Sequence, residues 1–192
     1  MSHAATSTTE VTSTGIPTGR VAIWWFLASE IAIFGGLIAC YVLYRVHHPA
    51  WNEEAHHTAT AIGAVNTVVL LTSSLSAVLA EAASHRGDYR RASSLLGFTV
   101  LGGLAFLGIK AFEYSREIAH GFVPARSLFW SFYYLMTGLH ALHVVAGMIA
   151  LGAVSVAVRR GEHPARVEYV AIYWHFVDVV WIFLFPLLYL AS

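Results

Sequence analysis

Seven ionisable side chains sit inside stretches otherwise suited to lipid: Glu30, Lys110, Glu113, His140, His143, His175 and Asp178. An ionised group in hydrocarbon costs ~3 kcal/mol or more, so such residues face protein or water and often carry function. Spacing sorts six of them into pairs. Lys110 and Glu113, His140 and His143, and His175 and Asp178 are each three positions apart, which places both members on one helix face. The first pair reads as an ion pair at the interfacial end of a helix. His140 and His143 have the spacing of a metal-ligating pair, with His175 available as a third ligand. Hydrogen bonding to a carbonyl or carboxylate is the commoner role of a buried imidazole, and is the reading preferred here. Asp178 could orient the His175 ring, as carboxylates orient metal-bound imidazoles. A structural hydrogen bond between helices is preferred there too.

Glu30 stands alone, ten residues into its stretch, with no basic residue between positions 21 and 44. It must be protonated, paired across helices, or hydrated. Two roles stay open: a proton-handling carboxyl, and a neutral acid donating one hydrogen bond.

The elements that must position these groups are membrane spans. Of 192 residues, 57% are hydrophobic and only 11% charged, with a formal net charge of zero and mean hydropathy of +0.63. A soluble fold of this size could not hide so much apolar surface. A basic excess for nucleic acid is absent. The single cysteine, Cys40, excludes a disulfide framework and a multi-cysteine metal site. Residues 1–20 read as a disordered tail without the apolar core of a signal peptide. Spans are expected at about 21–44, 60–81, 92–114, 127–158 and 169–191, all within one unit, 21–192. The fourth run, 32 residues long, is too short for two crossings and reads as one long or tilted helix. The expected fold is therefore an all-α integral membrane bundle of five helices.

Seven arginines fall in the segments on the N-terminal side of the membrane and three in the loops opposite, which predicts the N-terminus inside and the C-terminus outside. Trp24 and Trp25 at one end of the first span, and Tyr41 and Tyr44 at the other, suit the two aromatic belts. The longest loop, 45–59, has 15 residues and cannot hold a soluble catalytic domain. Its four histidines read as part of a solvated loop. Ala28, Ala32, Gly36 and Cys40 recur every four residues and predict a stripe for close helix packing, as do Gly97, Gly102, Gly103 and Gly108.

Five motifs carry a family resemblance. YWHFVDVVWIFLF (173–185) and TGLHALHVVAG (137–147) resemble the last two spans of subunit III of haem–copper terminal oxidases, the cytochrome c oxidase type. FEYSRE (112–117), NTVVLLTSS (66–74) and FLASEIAIFGG (26–36) are similar to the family's preceding spans, in order. The match covers about 21–192, in the five-span form familiar in bacteria rather than the seven-span mitochondrial form. Where the family often carries a Trp and a His pair at the end of the second of these spans, this chain has Leu79, Glu81 and Ala82.

The resemblance implies a non-catalytic subunit of a proton-pumping, oxygen-reducing complex of aerobic respiration, in the bacterial inner (cytoplasmic) membrane. No haem or copper is expected on this chain; both belong to partner subunits, with catalytic subunit I and subunit II as its associates. The helices are expected to form a V-shaped bundle whose cleft holds phospholipid. Glu30 would be the cleft carboxyl, with Glu113, His140, His143, His175 and Asp178 as buried polar or cleft-lining groups. The same signature occurs in quinol oxidases and in homologues associated with nitric oxide reductase, so the electron donor stays open. Two other classes compete. A small proton-conducting transporter would use the buried ionisable groups, but would need broken helices, and Pro186 near the end of the last span is the one break. A membrane metalloprotein would centre on His140, His143 and His175.

Overall fold

A computed structural model of the chain describes residues 18–48, 51, 55 and 58–190. The helices are α1 (Thr18–His47), α2 (Thr60–His85), α3 (Tyr89–Ala119), α4 (Leu128–Arg159) and α5 (Arg166–Phe185), with a π-helical turn, Pro186–Leu190, continuing α5. All five are long and apolar enough to cross a membrane. The helices overrun the apolar stretches that announce them. α1 starts at Thr18, so residues 18–20, expected in the tail, are helical; the rest of that tail lies outside the described residues. The long fourth run is one helix, α4, as expected.

The connections follow from local chemistry. Asp88 caps α3 by accepting from the Arg91 amide at 3.1 Å, and Ser127 caps α4 by accepting from Trp130. Between α2 and α3 only three residues turn the chain. Gly87 there has φ +76°, and Gly161 after α4 has φ +77°, a conformation a side chain would strain. The following amides, of Asp88 and Glu162, reach back to the carbonyls of Ala83 and Ala157 and close both helix ends.

Helices α2 to α5 pack as a four-helix group, and α1 leans on it, chiefly against α5 and more lightly against α4. The α2–α3 seam is close because a Cβ at Gly102 would lie 2.5 Å from Ser73 Cβ. Gly103 similarly admits Met148 and Trp174. Gly97 and Gly108 meet nothing, so only half of that predicted glycine set is packing surface. The α1 stripe is a clearer correction. Leu27, Glu30, Phe34 and Tyr41 form its buried face, and Ala28, Ala32, Gly36 and Cys40 are exposed on the other side. The predicted stripe is thus not a packing surface among the described residues.

Pro186 has no amide proton to give, and the π register after it displaces the helical ladder. Side chains from α1 and α2 take up the carbonyls beyond it. Tyr41 OH and Arg45 Nη1 each donate to the Leu187 carbonyl at 3.0 Å, and Thr60 Oγ1 donates to that of Tyr189 at 3.1 Å. Tyr41 is thus fully buried and not part of an aromatic belt, whereas Trp24 and Trp25 are exposed as expected.

Candidate functional site

The bundle encloses three groups of polar side chains. The first surrounds Lys110 and Glu113, one turn apart on α3. Lys110 Nζ donates to Glu113 Oε2 at 3.1 Å, to Tyr133 OH at 3.0 Å, and to Tyr189 OH. All three ammonium protons are therefore used. Glu113 Oε1 accepts from both tyrosine hydroxyls at 2.7 Å. The rings of Tyr114, Tyr133, Trp181 and Tyr189 lie 4.6–5.6 Å from Nζ and enclose the charge. Both side chains are essentially inaccessible, at 3% and 0%. The ion pair expected from the spacing is made, and it is buried against neighbouring helices. α3 runs on for six residues past Glu113 and α5 closes over it, so the pair is interior.

The second group joins α1 to α4. Glu30 Oε2 lies 2.9 Å from His143 Nε2, so the lone carboxyl is paired across helices. His143 Nδ1 lies 2.8 Å from the Leu139 carbonyl, which can only accept, so Nδ1 carries a proton. One further proton then occupies the Nε2–Oε2 bond. It makes the pair either two neutral groups or an imidazolium–carboxylate pair, with zero net charge in both. Phe34 packs edge-on to the imidazole at 5.1 Å, and Tyr173 OH donates to the His143 carbonyl at 3.2 Å.

The third group lies where α5 meets α2. Trp174 Nε1 donates to Ser73 Oγ at 3.1 Å and Trp181 Nε1 to Thr67 Oγ1 at 3.0 Å. His175 Nδ1 pairs with Ser74 Oγ at 2.6 Å. The sequence pairing of His175 with Asp178 is not made. Asp178 is buried, and neither of its oxygens has a hydrogen-bond partner among the described residues. The same holds for both ring nitrogens of His140 and for the amide of Asn66. His140 lies between the Phe106 and Trp181 rings, at centroid distances of 5.4 and 5.3 Å. Its i, i+3 relation to His143 brings the two no nearer in role: one ring turns to α1, the other into the four-helix group. Among the described residues no three His, Cys, Asp or Glu side chains gather into a metal-holding group, so His140, His143 and His175 are not one ligand set. Of the loop histidines, His47 and His48 bond to carbonyls of their own helix, and His56 and His57 lie outside the described residues.

Sequence reasoning missed Tyr133, Tyr189, Ser73, Ser74 and Thr67 as partners. Serine and threonine raise no alarm in a membrane span, because each can bond to its own helix backbone. A usable signal did exist for α2. Its three partners for α5 all lie in the NTVVLLTSS segment, so two motifs noted separately are two halves of one seam.

These features define a polytopic helical membrane protein whose interior polar groups bind helix to helix. A profile of the family "Cytochrome c oxidase subunit III" matches residues 3–192. A cytochrome c oxidase subunit 3 of Corynebacterium diphtheriae is 36% identical over 171 residues, covering 85% of this chain and 83% of that protein. A cytochrome bo(3) ubiquinol oxidase subunit 3 of Pseudomonas aeruginosa is 34% identical, covering 88% and 83%. A heme-copper oxidase subunit I+III of Aeropyrum pernix is 33% identical over 90% of this chain and 22% of that longer protein. The chain belongs to the cytochrome c oxidase subunit III family.

Proposed function

We propose that this subunit III carries no redox centre and works by steadying the haem-bearing subunit I of a cytochrome c oxidase in a bacterial cytoplasmic membrane. Haem and copper sit on its partners, and subunit II completes the core. The N-terminus faces the cytoplasm, as the arginine distribution favours. The observation that carries the partner is the I+III relative, in whose name subunits I and III share one chain. The outer face of α1 supports the same reading. Its small-residue stripe permits close helix approach, and the stripe is exposed among the described residues, with nothing within 4 Å of a Cβ at Gly36. Phospholipid occupies the cleft between α1 and the four-helix group, beside the Glu30–His143 pair, whose zero net charge suits an apolar neighbour. Glu113, His140, His175 and Asp178 act in the bundle interior and contact neither oxygen nor electrons.

The test is purification of the tagged chain in mild detergent, with mass spectrometry of its partners and a haem spectrum. Co-purification with a haem-bearing subunit is expected. Isolation of the chain alone, stable and without haem partners, overturns the proposal. The ubiquinol oxidase relative gives a second reading of the donor. Oxygen uptake by the complex with reduced cytochrome c, set against uptake with a quinol, separates the two.

A further inference from the structure

Tyr133 on α4 and Tyr189 on the π turn share one acceptor. Both hydroxyls donate to Glu113 Oε1 at 2.7 Å, and the two phenol oxygens lie 3.2 Å apart. Lys110 donates to both of those oxygens and to Glu113 Oε2. All four side chains are buried, and the lysine and glutamate charges cancel. Two phenols thus hold their protons against a carboxylate in a place closed to water.

That placement decides which aromatic side chain here can be oxidised to a lasting radical. Tyrosine and tryptophan are the aromatic residues that give up one electron most readily. A phenol that loses an electron becomes a strong acid, and the radical persists only where a neighbour takes the proton. Tyr41, Tyr134 and Tyr173 donate to backbone carbonyls, and Tyr114 pairs with the Thr137 hydroxyl. Trp174 and Trp181 donate to the hydroxyls of Ser73 and Thr67. Carbonyls and hydroxyls do not hold a proton near neutral pH, and the Glu113 carboxylate does.

A file of rings joins this group to the surface. Ring centroids lie 5.2 Å apart from Tyr133 to Trp130, 5.4 Å on to Phe129, 6.0 Å on to Trp51 and 6.4 Å on to Tyr44. Trp51 and Trp130 are buried, whereas Tyr44, near the end of α1, is 46% exposed.

We propose that Tyr133 and Tyr189 form a tyrosyl-radical site that takes up oxidising equivalents escaping from oxygen reduction. The supply of oxidant rests on the oxidase reading above. The oxidant is a hydroxyl radical derived from peroxide, met at Tyr44. One electron leaves Tyr133 or Tyr189 along the rings and reduces that radical to hydroxide. The phenolic O–H bond breaks, and its proton passes to Glu113 Oε1. A neutral phenoxyl radical and a neutral carboxylic acid remain. Glu113 exchanges only the proton, and the resting chain carries no redox centre. The Lys110 charge is then unanswered by Glu113, and the four rings around Nζ offset it. An electron from the donor of the complex, with the proton returned by Glu113, restores the phenol.

The test is high-field electron paramagnetic resonance of the membrane complex containing the full chain, frozen after mixing with hydrogen peroxide. Growth on ring-deuterated tyrosine marks a tyrosyl signal by its narrowed hyperfine pattern. Beside any radical of the other subunits, one tyrosyl component is expected that Y133F/Y189F loses. E113Q keeps both rings and an oxygen that accepts from both hydroxyls, but takes no proton, so it should lose the same component. The haem spectrum shows that each complex has assembled. A tyrosyl signal unchanged in Y133F/Y189F overturns the proposal, as does one undiminished in E113Q. Where Y133F/Y189F does not assemble, E113Q decides alone. Purification of the chain without a haem-bearing partner is instead a failure of the oxidase reading. A flash-generated ruthenium(III) oxidant applied to the full chain then reads the same component, and its absence overturns the radical site.

Discussion

The Lys110–Glu113 pair permits a sharp test of what buried charge does in this bundle. Lys110→Met removes three donated hydrogen bonds and leaves the Glu113 carboxylate enclosed by aromatic rings, with only two tyrosine hydroxyls to answer it. Breaking a buried pair by removing one member costs about 3–5 kcal/mol. Glu113→Gln should cost less. Its amide oxygen still accepts from Tyr133 and Tyr189, and buried Glu117, one turn on, remains to offset the Lys110 charge. The double variant Lys110→Met/Glu113→Gln leaves no charge at either position and keeps both tyrosine hydroxyls bonded. Its cost should fall to about 1–2 kcal/mol, the worth of one or two neutral hydrogen bonds. The order of damage is thus Lys110→Met, then Glu113→Gln, then the double variant. Reversible unfolding in mixed micelles, with all four proteins in one double-mutant cycle, measures it. A double variant as costly as the sum of the singles would show that the two charges do not answer each other, and the reasoning would fail.

Glu30→Gln should leave retention of the subunit in the complex nearly unchanged, because its amide can donate to a neutral His143; severe loss, as great as in Glu30→Leu, would mean that the pair is ionic. Trp181→Phe removes the bond to Thr67 and part of the ring packing against Phe106, and should cost about 1–3 kcal/mol in the same micelle assay. Asp178→Asn, which keeps the size of the side chain and an acceptor oxygen, should be near neutral in retention of the subunit, and Asp178→Ala more harmful. Gly102→Leu should abolish stable insertion, and Gly36→Leu should leave the isolated chain folded, because one Cβ would strike Ser73 and the other meets nothing. Protease resistance of the detergent-purified chains distinguishes these two outcomes.

The spans, the single long α4 and the location of the break at Pro186 were legible because each depends on runs of residues. Apolar length and missing amide protons act locally. Partner choice was less legible, since an i, i+3 spacing defines a shared helix face only to within a wide arc. Lys110 and Glu113 meet, but His140 and His143 part company, and His175 prefers Ser74 to Asp178. Each outcome is decided by which neighbouring helix presents a donor or acceptor, and that is information about packing. Burial was no more legible: position along the chain did not say that α5 and its π turn place Tyr189 beside Lys110. Family resemblance identified the α5 and α2 motifs, and only the packing showed that their indoles and hydroxyls bond to each other.

The polar contacts of α1 explain how a helix with so little buried surface keeps its place. Arg20 donates to Glu168 at 2.6 Å, Glu30 meets His143, and Tyr41 with Arg45 holds the Leu187 carbonyl. These contacts recur every ten or eleven residues, about 15 Å apart along the axis, so α1 is held near both ends and in the middle. Between lipid-exposed helices the hydrophobic effect contributes little, because lipid tails are as apolar as leucine, and packing and hydrogen bonds must orient the helix. Three such contacts fix the rotation of α1 as well as its position. Turning it by even one residue, about 100°, would carry Glu30 away from His143 and Tyr41 away from Leu187 together. The exposed stripe of Ala28, Ala32, Gly36 and Cys40 is therefore held facing away from this chain, and its direction is as much a product of those polar contacts as of the small residues themselves.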